Sequence, residues 1–254
     1  MDTGCMIMGK SDPMVRHILF DLDGTLAPID MDVFLPQYLK ALGARFRDRF
    51  AVDDFQRKLL DSTMVMINNL DPDRTNEQVF WDHFPRSLGA SRETLEPIFL
   101  DFYALEYRDL RNDLSPAGPA AEALTEALNQ GCTLTIATNP IFPLRAVQER
   151  LAWIGCDGFP FQLITSIEGM HFCKPHREYY REVLSILGAR AEECLMIGND
   201  VEEDMVASRV GMKTCLVTDR VIQRGQLHEE PDYRCTLAEL PEMIRKLKRK
   251  EANR

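Results

Sequence analysis

Short apolar runs alternate with amphipathic stretches over most of the chain, and this pattern predicts its architecture. The first run, Val15–Phe20, ends in a polar turn. The later runs are Thr133–Ala137, Phe161–Ser166, Cys194–Ile197 and Lys213–Val217. Stretches with helical periodicity lie before, between or after these runs, at Ala120–Asn129, Leu144–Ile154, Arg177–Leu187, Glu202–Val210 and Leu237–Arg249. Strands that alternate with helices indicate an α/β fold with a doubly wound parallel sheet, covered by helices on both faces.

A different pattern occupies the chain between the first run and the others. Apolar residues here recur with the 3.6-residue period of a helix and not with the two-residue period of a strand. The predicted helices cover Val33–Phe50, Asp54–Asn68, Asn76–Leu88 and Arg92–Arg108. We therefore expect residues 29–111 to form an all-helical cap domain, inserted into an α/β core domain made of residues 14–28 and 112–254.

Charge and cysteine content narrow the classes of function. The chain has 30 Lys and Arg residues against 40 Asp and Glu, a formal net charge of −10. This acidic balance argues against nucleic acid and anionic membranes as partners, but leaves small anionic substrates open. The seven cysteines are scattered and form no CxxC pair, which is typical of reduced thiols. Since we also find neither a signal peptide nor a membrane-spanning run, we expect a cytoplasmic protein.

Two carboxylates follow the first predicted strand, in the segment Asp21–Thr25 (DLDGT). The carboxyl ends of parallel strands are where open α/β sheets bind ligands. A turn that begins here would bring Asp21 and Asp23 to one site, and Gly24 supplies the backbone freedom for that turn. Asp-Gly pairs are also common in ordinary turns, but the position directly after an apolar strand favours a functional interpretation.

Polar residues with phosphate-binding chemistry follow later strands. Thr138 and Asn139 come directly after the run Thr133–Ala137, where a hydroxyl and backbone N–H groups can hold phosphoryl oxygens. Lys174 precedes a predicted helix and could neutralise two carboxylates and a phosphate. Each residue has an ordinary alternative, since Thr and Asn often cap helices and a single Lys usually lies on the surface.

An acidic segment follows the run Cys194–Ile197. It contains Asn199 and Asp200, with Asp204 four residues after Asp200. Such a cluster suits a hard divalent cation such as Mg²⁺, although first-turn acids also favour a helix N-terminus. All four elements, in the order Asp, Thr, Lys and Asp, lie at the ends of predicted strands. They therefore converge on one edge of one sheet.

This arrangement resembles the haloacid dehalogenase-like (HAD) hydrolases, specifically phosphatases with a helical C1 cap. The resemblance extends from about Val15 to Leu240 and includes all four motifs of the family. It implies that Asp21 is the nucleophile and Asp23 the general acid/base. Phosphoryl oxygens would be held by Gly24, Thr25, Thr138, Asn139 and Lys174. The resemblance also implies a Mg²⁺ cofactor, held by Asp21, Asp23, Asn199, Asp200 and Asp204.

One position departs from the family pattern. Relatives commonly have Gly-Asp-Ser where this chain has Gly198-Asn199-Asp200. A carboxylate is a stronger Mg²⁺ ligand than an amide, so we expect Asp200 to be the second carboxylate ligand. Asn199 and Asp204 would then assist.

The function expected from these residues is Mg²⁺-dependent hydrolysis of a phosphate ester through an aspartyl-phosphate. A helical cap that closes over the site favours a small phosphorylated metabolite as substrate. A phosphomutase of the same superfamily and a non-catalytic binding protein are the alternatives. A receiver-like regulatory domain is disfavoured, because it would be about half as long and would lack the helical insert. The oligomeric state is left open.

The N-terminus contains a further match to a known motif. The segment Gly4–Ser11 fits the phosphate-binding pattern GxxxxGK[ST]. That pattern requires a preceding strand and a following helix, and Asp12-Pro13 opposes the helix. We expect Met1–Pro13 to be a leader without chemistry.

Overall fold

The sheet of the computed structural model has six parallel strands within the described residues, which are 14–111, 114, 116, 118–225 and 230–252. They are β1 His17–Phe20, β2 Thr133–Ile136, β3 Phe161–Ile164, β4 Cys194–Gly198, β5 Lys213–Val217 and β6 Tyr233–Cys235. Their order across the sheet is β3-β2-β1-β4-β5-β6. The predicted doubly wound α/β fold is therefore confirmed. The segments Gly4–Ser11 and Met1–Pro13 lie outside the described residues.

Strand order determines where a site can form. β1 lies in the middle of the sheet and pairs in parallel with β2 on one side and β4 on the other. The chain winds in opposite directions from this point, and open α/β sheets bind ligands outside the carboxyl ends of strands at such a reversal. The strand β6 was missed, because Tyr-Arg-Cys is short and has no apolar run.

Helices α1 to α4 follow β1 and belong to the insert. They are α1 Met31–Ala44, α2 Val52–Ile67, α3 Asn76–Leu88 and α4 Arg92–Leu105. The later helices are α5 Gly118–Asn129, α6 Leu144–Trp153, α7 Arg177–Leu187 and α8 Leu240–Ala252. The start of α3 was predicted correctly, and a capping box explains it. The Thr75 side chain accepts from the Gln78 N–H, and the Gln78 side chain accepts from the Thr75 N–H.

The α-helix predicted over Glu202–Val210 was wrong. The chain forms turns there, followed by a short 3₁₀ helix at Met205–Val210. The backbone N–H groups just before this stretch form hydrogen bonds that are not those of an α-helix. The Asp200 N–H donates to the Asp204 carboxylate, and the Val201 N–H donates to the carbonyl of Ile222. These contacts hold the acidic segment in an irregular conformation.

The insert packs on the sheet domain through aromatic side chains. Phe34 and Tyr38 of α1 contact Phe142, with ring centroids 6.5 and 5.3 Å away. At the start of α3, the Asn76 N–H donates to the carbonyl of Met170 and thereby ties the insert to the segment after β3. The boundaries of the cap at residues 29–111 stay a prediction.

No helix among the described residues is both long enough and apolar enough to cross a membrane. The six described cysteines are buried, and none of them forms a disulfide. The seventh, Cys5, lies outside the described residues.

Candidate active site

The turn after β1 brings two carboxylates to the edge of the sheet. The Asp21 N–H donates to the carbonyl of Ile197 and extends the pairing of β1 with β4. The chain then folds back, with two later N–H groups donating to the carbonyl of Leu22. Gly24 has a positive φ of 81°, and a Cβ there would overlap the Asn199 amide. Glycine is thus required both for the backbone conformation and for the close approach of the acidic segment.

The Asp21 carboxylate has a partner at each oxygen. Oδ1 accepts a hydrogen bond from Lys174 Nζ at 3.0 Å, and Oδ2 lies 3.1 Å from the Thr25 hydroxyl. The same hydroxyl lies 3.0 Å from Asn199 Oδ1, so it links Asp21 with the acidic segment. The side chain of Asp21 keeps 12% of its surface exposed, which leaves it open to a ligand.

Lys174 lies between two carboxylates and is almost fully buried. Its Nζ is 3.0 Å from Asp21 and 2.6 Å from Asp204. Burial disfavours the ammonium, but Asp204 and Asp21 outweigh this effect and raise the pKa of Lys174 well above its usual value. The charged form of the side chain is therefore favoured, and its ammonium pairs with both carboxylates.

The Asp204 carboxylate contacts both Lys174 and the acidic segment. Oδ1 accepts from Lys174, and Oδ2 accepts from the Asp200 N–H at 2.9 Å. Burial raises the pKa of Asp204, although the ammonium of Lys174 opposes the shift. Both oxygens of this buried carboxylate are engaged, so its contribution is to hold Lys174 and the acidic segment in place.

The absence of a side chain at Gly198 leaves the space that the Asp204 carboxylate occupies. A Cβ at Gly198 would overlap the Asp204 carboxylate, so Gly198→Ala should lower the free energy of unfolding by about 1–3 kcal/mol. Gly158→Ala is the control, because nothing lies within 4 Å of its added Cβ. Urea denaturation of both variants tests this. Equal stability of the two would contradict the close packing around Asp204.

Asp23 has a partner that the sequence analysis missed. Its Oδ2 pairs with Nη1 of Arg150, which lies on α6 and is wholly buried. Burial raises the pKa of Asp23, and the guanidinium opposes that shift by stabilising the carboxylate. The available signal was a cation on the apolar face of α6, next to Val147 and Leu151.

The residues after β2 reach the same region. Thr138 is buried, and its carbonyl accepts hydrogen bonds from Thr165 and Tyr179. Asn139 Nδ2 lies 3.4 Å from the carbonyl of Lys174 and 3.2 Å from Glu203 Oε2. Asn139 thus connects the loop after β2 to the backbone at Lys174 and to the side chain of Glu203. Glu203 was missed by the sequence analysis, and burial raises its pKa.

The acidic segment uses its side chains in different ways. Asn199 Nδ2 donates to the carbonyl of Arg220 at 2.6 Å, while its Oδ1 faces Thr25. Asp200 Oδ1 accepts from the N–H groups of the two glutamates at 202 and 203, as in a helix cap. Asp200 Oδ2 pairs with Arg224 at 2.7 Å, a partner that the sequence analysis also missed.

Two side-chain oxygen atoms near Thr25 are of the kind that Mg²⁺ binds. No group of three or more His, Cys, Asp and Glu side chains is arranged for a metal within the described part of the chain. Mg²⁺ usually needs fewer, because it binds through one or two carboxylates and completes its shell with water and substrate phosphate. Asp21 Oδ2 and Asn199 Oδ1 lie 3.1 and 3.0 Å from the Thr25 hydroxyl, so both oxygens face the same group.

The chain resembles known enzymes along most of its length. Residues 15–211 match the haloacid dehalogenase-like hydrolases. The pyrophosphatase PpaX of Halalkalibacterium halodurans is 24% identical, over 91% of this chain and 95% of that protein. The glyceraldehyde 3-phosphate phosphatase of Methanocaldococcus jannaschii is also 24% identical, over 93% of this chain and all of that protein. Among solved structures, the HAD-hydrolase YfnB of Bacillus subtilis bound to magnesium gives a TM-score of 0.52 at 23% identity, over 91% of this chain and 99% of that one.

Proposed function

The chain belongs to the haloacid dehalogenase-like hydrolases, and from this we propose that it is a Mg²⁺-dependent phosphatase acting through an aspartyl-phosphate. The observation that carries the proposal is the environment of Asp21. Its carboxylate lies at the end of the central strand, between an ammonium and a hydroxyl, with a second carboxylate two residues later. A dehalogenase has no need for that second carboxylate, whereas a phosphatase must protonate an alkoxide leaving group.

The proposed reaction has two steps. Asp21 attacks phosphorus and forms an aspartyl-phosphate, while Asp23 gives a proton to the leaving alkoxide. Asp23 then takes a proton from the water that hydrolyses this intermediate, and phosphate leaves. Phosphoryl transfer places negative charge on the equatorial oxygens, so catalysis depends mainly on positioning and charge neutralisation. Lys174 and the Thr138 hydroxyl serve that purpose in the proposal, assisted by Asn139 and the loop at Gly24.

We propose that the cation is held by Asp21 and Asn199, whose side-chain oxygens both face the Thr25 hydroxyl, together with Asp23. The bound ion would supply positive charge next to the transferred phosphoryl group. Asp200 was the ligand favoured by the sequence. Its carboxylate is already used by two backbone N–H groups and Arg224, which favours a supporting role for it. Asp204 supports the same segment by accepting from the Asp200 N–H, and it also holds Lys174.

The choice between Asn199 and Asp200 can be tested. Asn199→Ala should raise the Mg²⁺ concentration for half-maximal activity by at least about tenfold, because an oxygen ligand is lost. Asp200→Asn should raise it less, because that carboxylate acts on the loop and not on the ion. Mg²⁺ titrations of phosphate release measure both effects. The reverse order of the two variants would make Asp200 the ligand.

The substrate we propose is a small phosphorylated metabolite of the cytoplasm. Both named relatives act on small phosphorylated compounds, pyrophosphate and glyceraldehyde 3-phosphate. The hydrogen bond from Asn76 to Met170 also keeps the insert next to the catalytic loops, which favours a small substrate. Phosphate release from a panel of small esters, with Mg²⁺ and with EDTA, tests the proposal. Mg²⁺-dependent release supports it, whereas isomerisation of an ester without release indicates a phosphomutase.

A further inference from the structure

We infer that Arg150 is a positioning residue for the proposed general acid/base, and that it also connects this residue to the helical insert. The inference rests on the proposed phosphatase function. Arg150 lies 127 positions after Asp23 in the chain, on α6, and its side chain has no exposed surface. Burying a cation costs free energy unless the cation is paired. The wholly buried Arg150 therefore requires a role other than solubility or surface charge.

The contacts of Arg150 hold its guanidinium in one orientation. Nε donates to the carbonyl of Ala146 at 3.3 Å within the same helix, and Nη1 donates to Asp23 Oδ2. The guanidinium also lies over the ring of Phe142, 4.5 Å from its centroid. Because the cation is held on three sides, the carboxylate oxygen that it binds is fixed as well.

The second oxygen of Asp23 is left without a protein partner. Among the described residues, the buried polar atoms that lack a hydrogen bond include Asp23 Oδ1, Arg150 Nη2 and the Tyr107 hydroxyl. Buried polar atoms are normally paired, so unpaired ones at a site call for an explanation. Arg150 binds Oδ2 and leaves Oδ1 for the proton that passes to the leaving group. A water molecule or a substrate atom would complete the remaining bonds.

The same arginine contacts the layer where the insert meets the sheet domain. Phe142, which lies under the guanidinium, is 5.3 Å from Tyr38 of α1 between ring centroids. Tyr107, at the end of the insert, stacks on Trp153 of α6 at 5.5 Å. Arg150 is therefore connected to aromatic side chains of the insert through Phe142.

The test compares two esters that differ in their need for an acid. 4-Nitrophenolate leaves without protonation, whereas the alkoxide of an alkyl phosphate requires a proton from Asp23. We expect Arg150→Met to lower kcat/KM for the best alkyl ester at least about tenfold more than for 4-nitrophenyl phosphate. Asp23→Asn should show the same selectivity, and the double variant should lose little more than either single one.

Arg145→Met is the matched control. Arg145 lies on the same helix and also reaches the insert, with donors 3.1 and 3.4 Å from the carbonyls of Tyr103 and Ala104, but it makes no contact with Asp23. Its substitution should leave the ratio of the two kcat/KM values unchanged. Arg150→Lys keeps the charge with a shorter reach, and it should show a smaller loss with the same selectivity.

The outcomes separate this inference from the function on which it rests. If the unaltered protein releases phosphate from neither ester, the proposed function fails. If it releases phosphate but the folded Arg150 variants lose the same factor on both esters, the positioning role is wrong. If Arg150→Met does not fold, the ratio of the two kcat/KM values is taken from Arg150→Lys. If neither folds, Arg150 is a structural residue and the inference is also wrong.

Discussion

Asp21→Asn should abolish turnover while leaving the fold intact. We expect kcat to fall by at least about a thousandfold, because the amide cannot form the phosphorylated intermediate on which the proposed reaction depends. The substitution keeps the size of the side chain and an oxygen that can accept from Lys174. The thermal unfolding midpoint should therefore change little compared with the loss of activity.

A carboxylate outside the site provides the control for this variant. Asp61 lies on the exposed side of α2 and pairs with Arg57. Asp61→Asn makes the same chemical change without touching the catalytic loops, and it should leave kcat unaltered. Phosphate release and circular dichroism of both variants give the comparison. An Asp21→Asn protein that retains more than about a tenth of the activity would rule out Asp21 as the nucleophile.

Lys174→Met should have the largest effect on stability. The substitution leaves two carboxylates, on Asp21 and Asp204, without the cation between them. Breaking a buried ion pair by removing one partner typically costs about 3–5 kcal/mol, because the remaining charge is buried and uncompensated. We expect a loss of that size in the free energy of unfolding by urea, together with the loss of activity.

A second substitution distinguishes charge from packing at this position. Adding Asp204→Asn to Lys174→Met removes one of the two uncompensated charges, so part of the lost stability should return. Loss of packing alone would not be relieved by this change. A double variant that is less stable than Lys174→Met would show that Asp204 contributes something other than its charge to the pair.

The positions of the candidate site residues were predictable because they depend on strand ends. Asp21, Thr138 and the acidic segment each follow an apolar run, and parallel strands place their carboxyl ends at one edge. A local pattern is enough to predict such positions. The parallel sheet was predictable from the alternation of strands and helices, and the insert from its change of period.

The partners of these residues were not predictable in the same way. Arg150 pairs with Asp23 across 127 positions, and Arg224 pairs with Asp200 from a loop that has no periodic pattern. Nothing local indicates such contacts. The expectation that Asp200 binds the ion came from ligand strength alone, and it took no account of the two backbone N–H groups that this carboxylate accepts.

The proposed phosphorylation of Asp21 can be tested by trapping the aspartyl-phosphate during turnover. The protein is mixed with Mg²⁺ and the best ester, quenched with acid during turnover, and mapped by mass spectrometry. We predict that the peptide containing Asp21 gains the mass of one phosphoryl group, and that the gain is lost in Asp21→Asn. Phosphate release without any phosphorylated peptide, or with the phosphoryl group on another residue, would contradict the account.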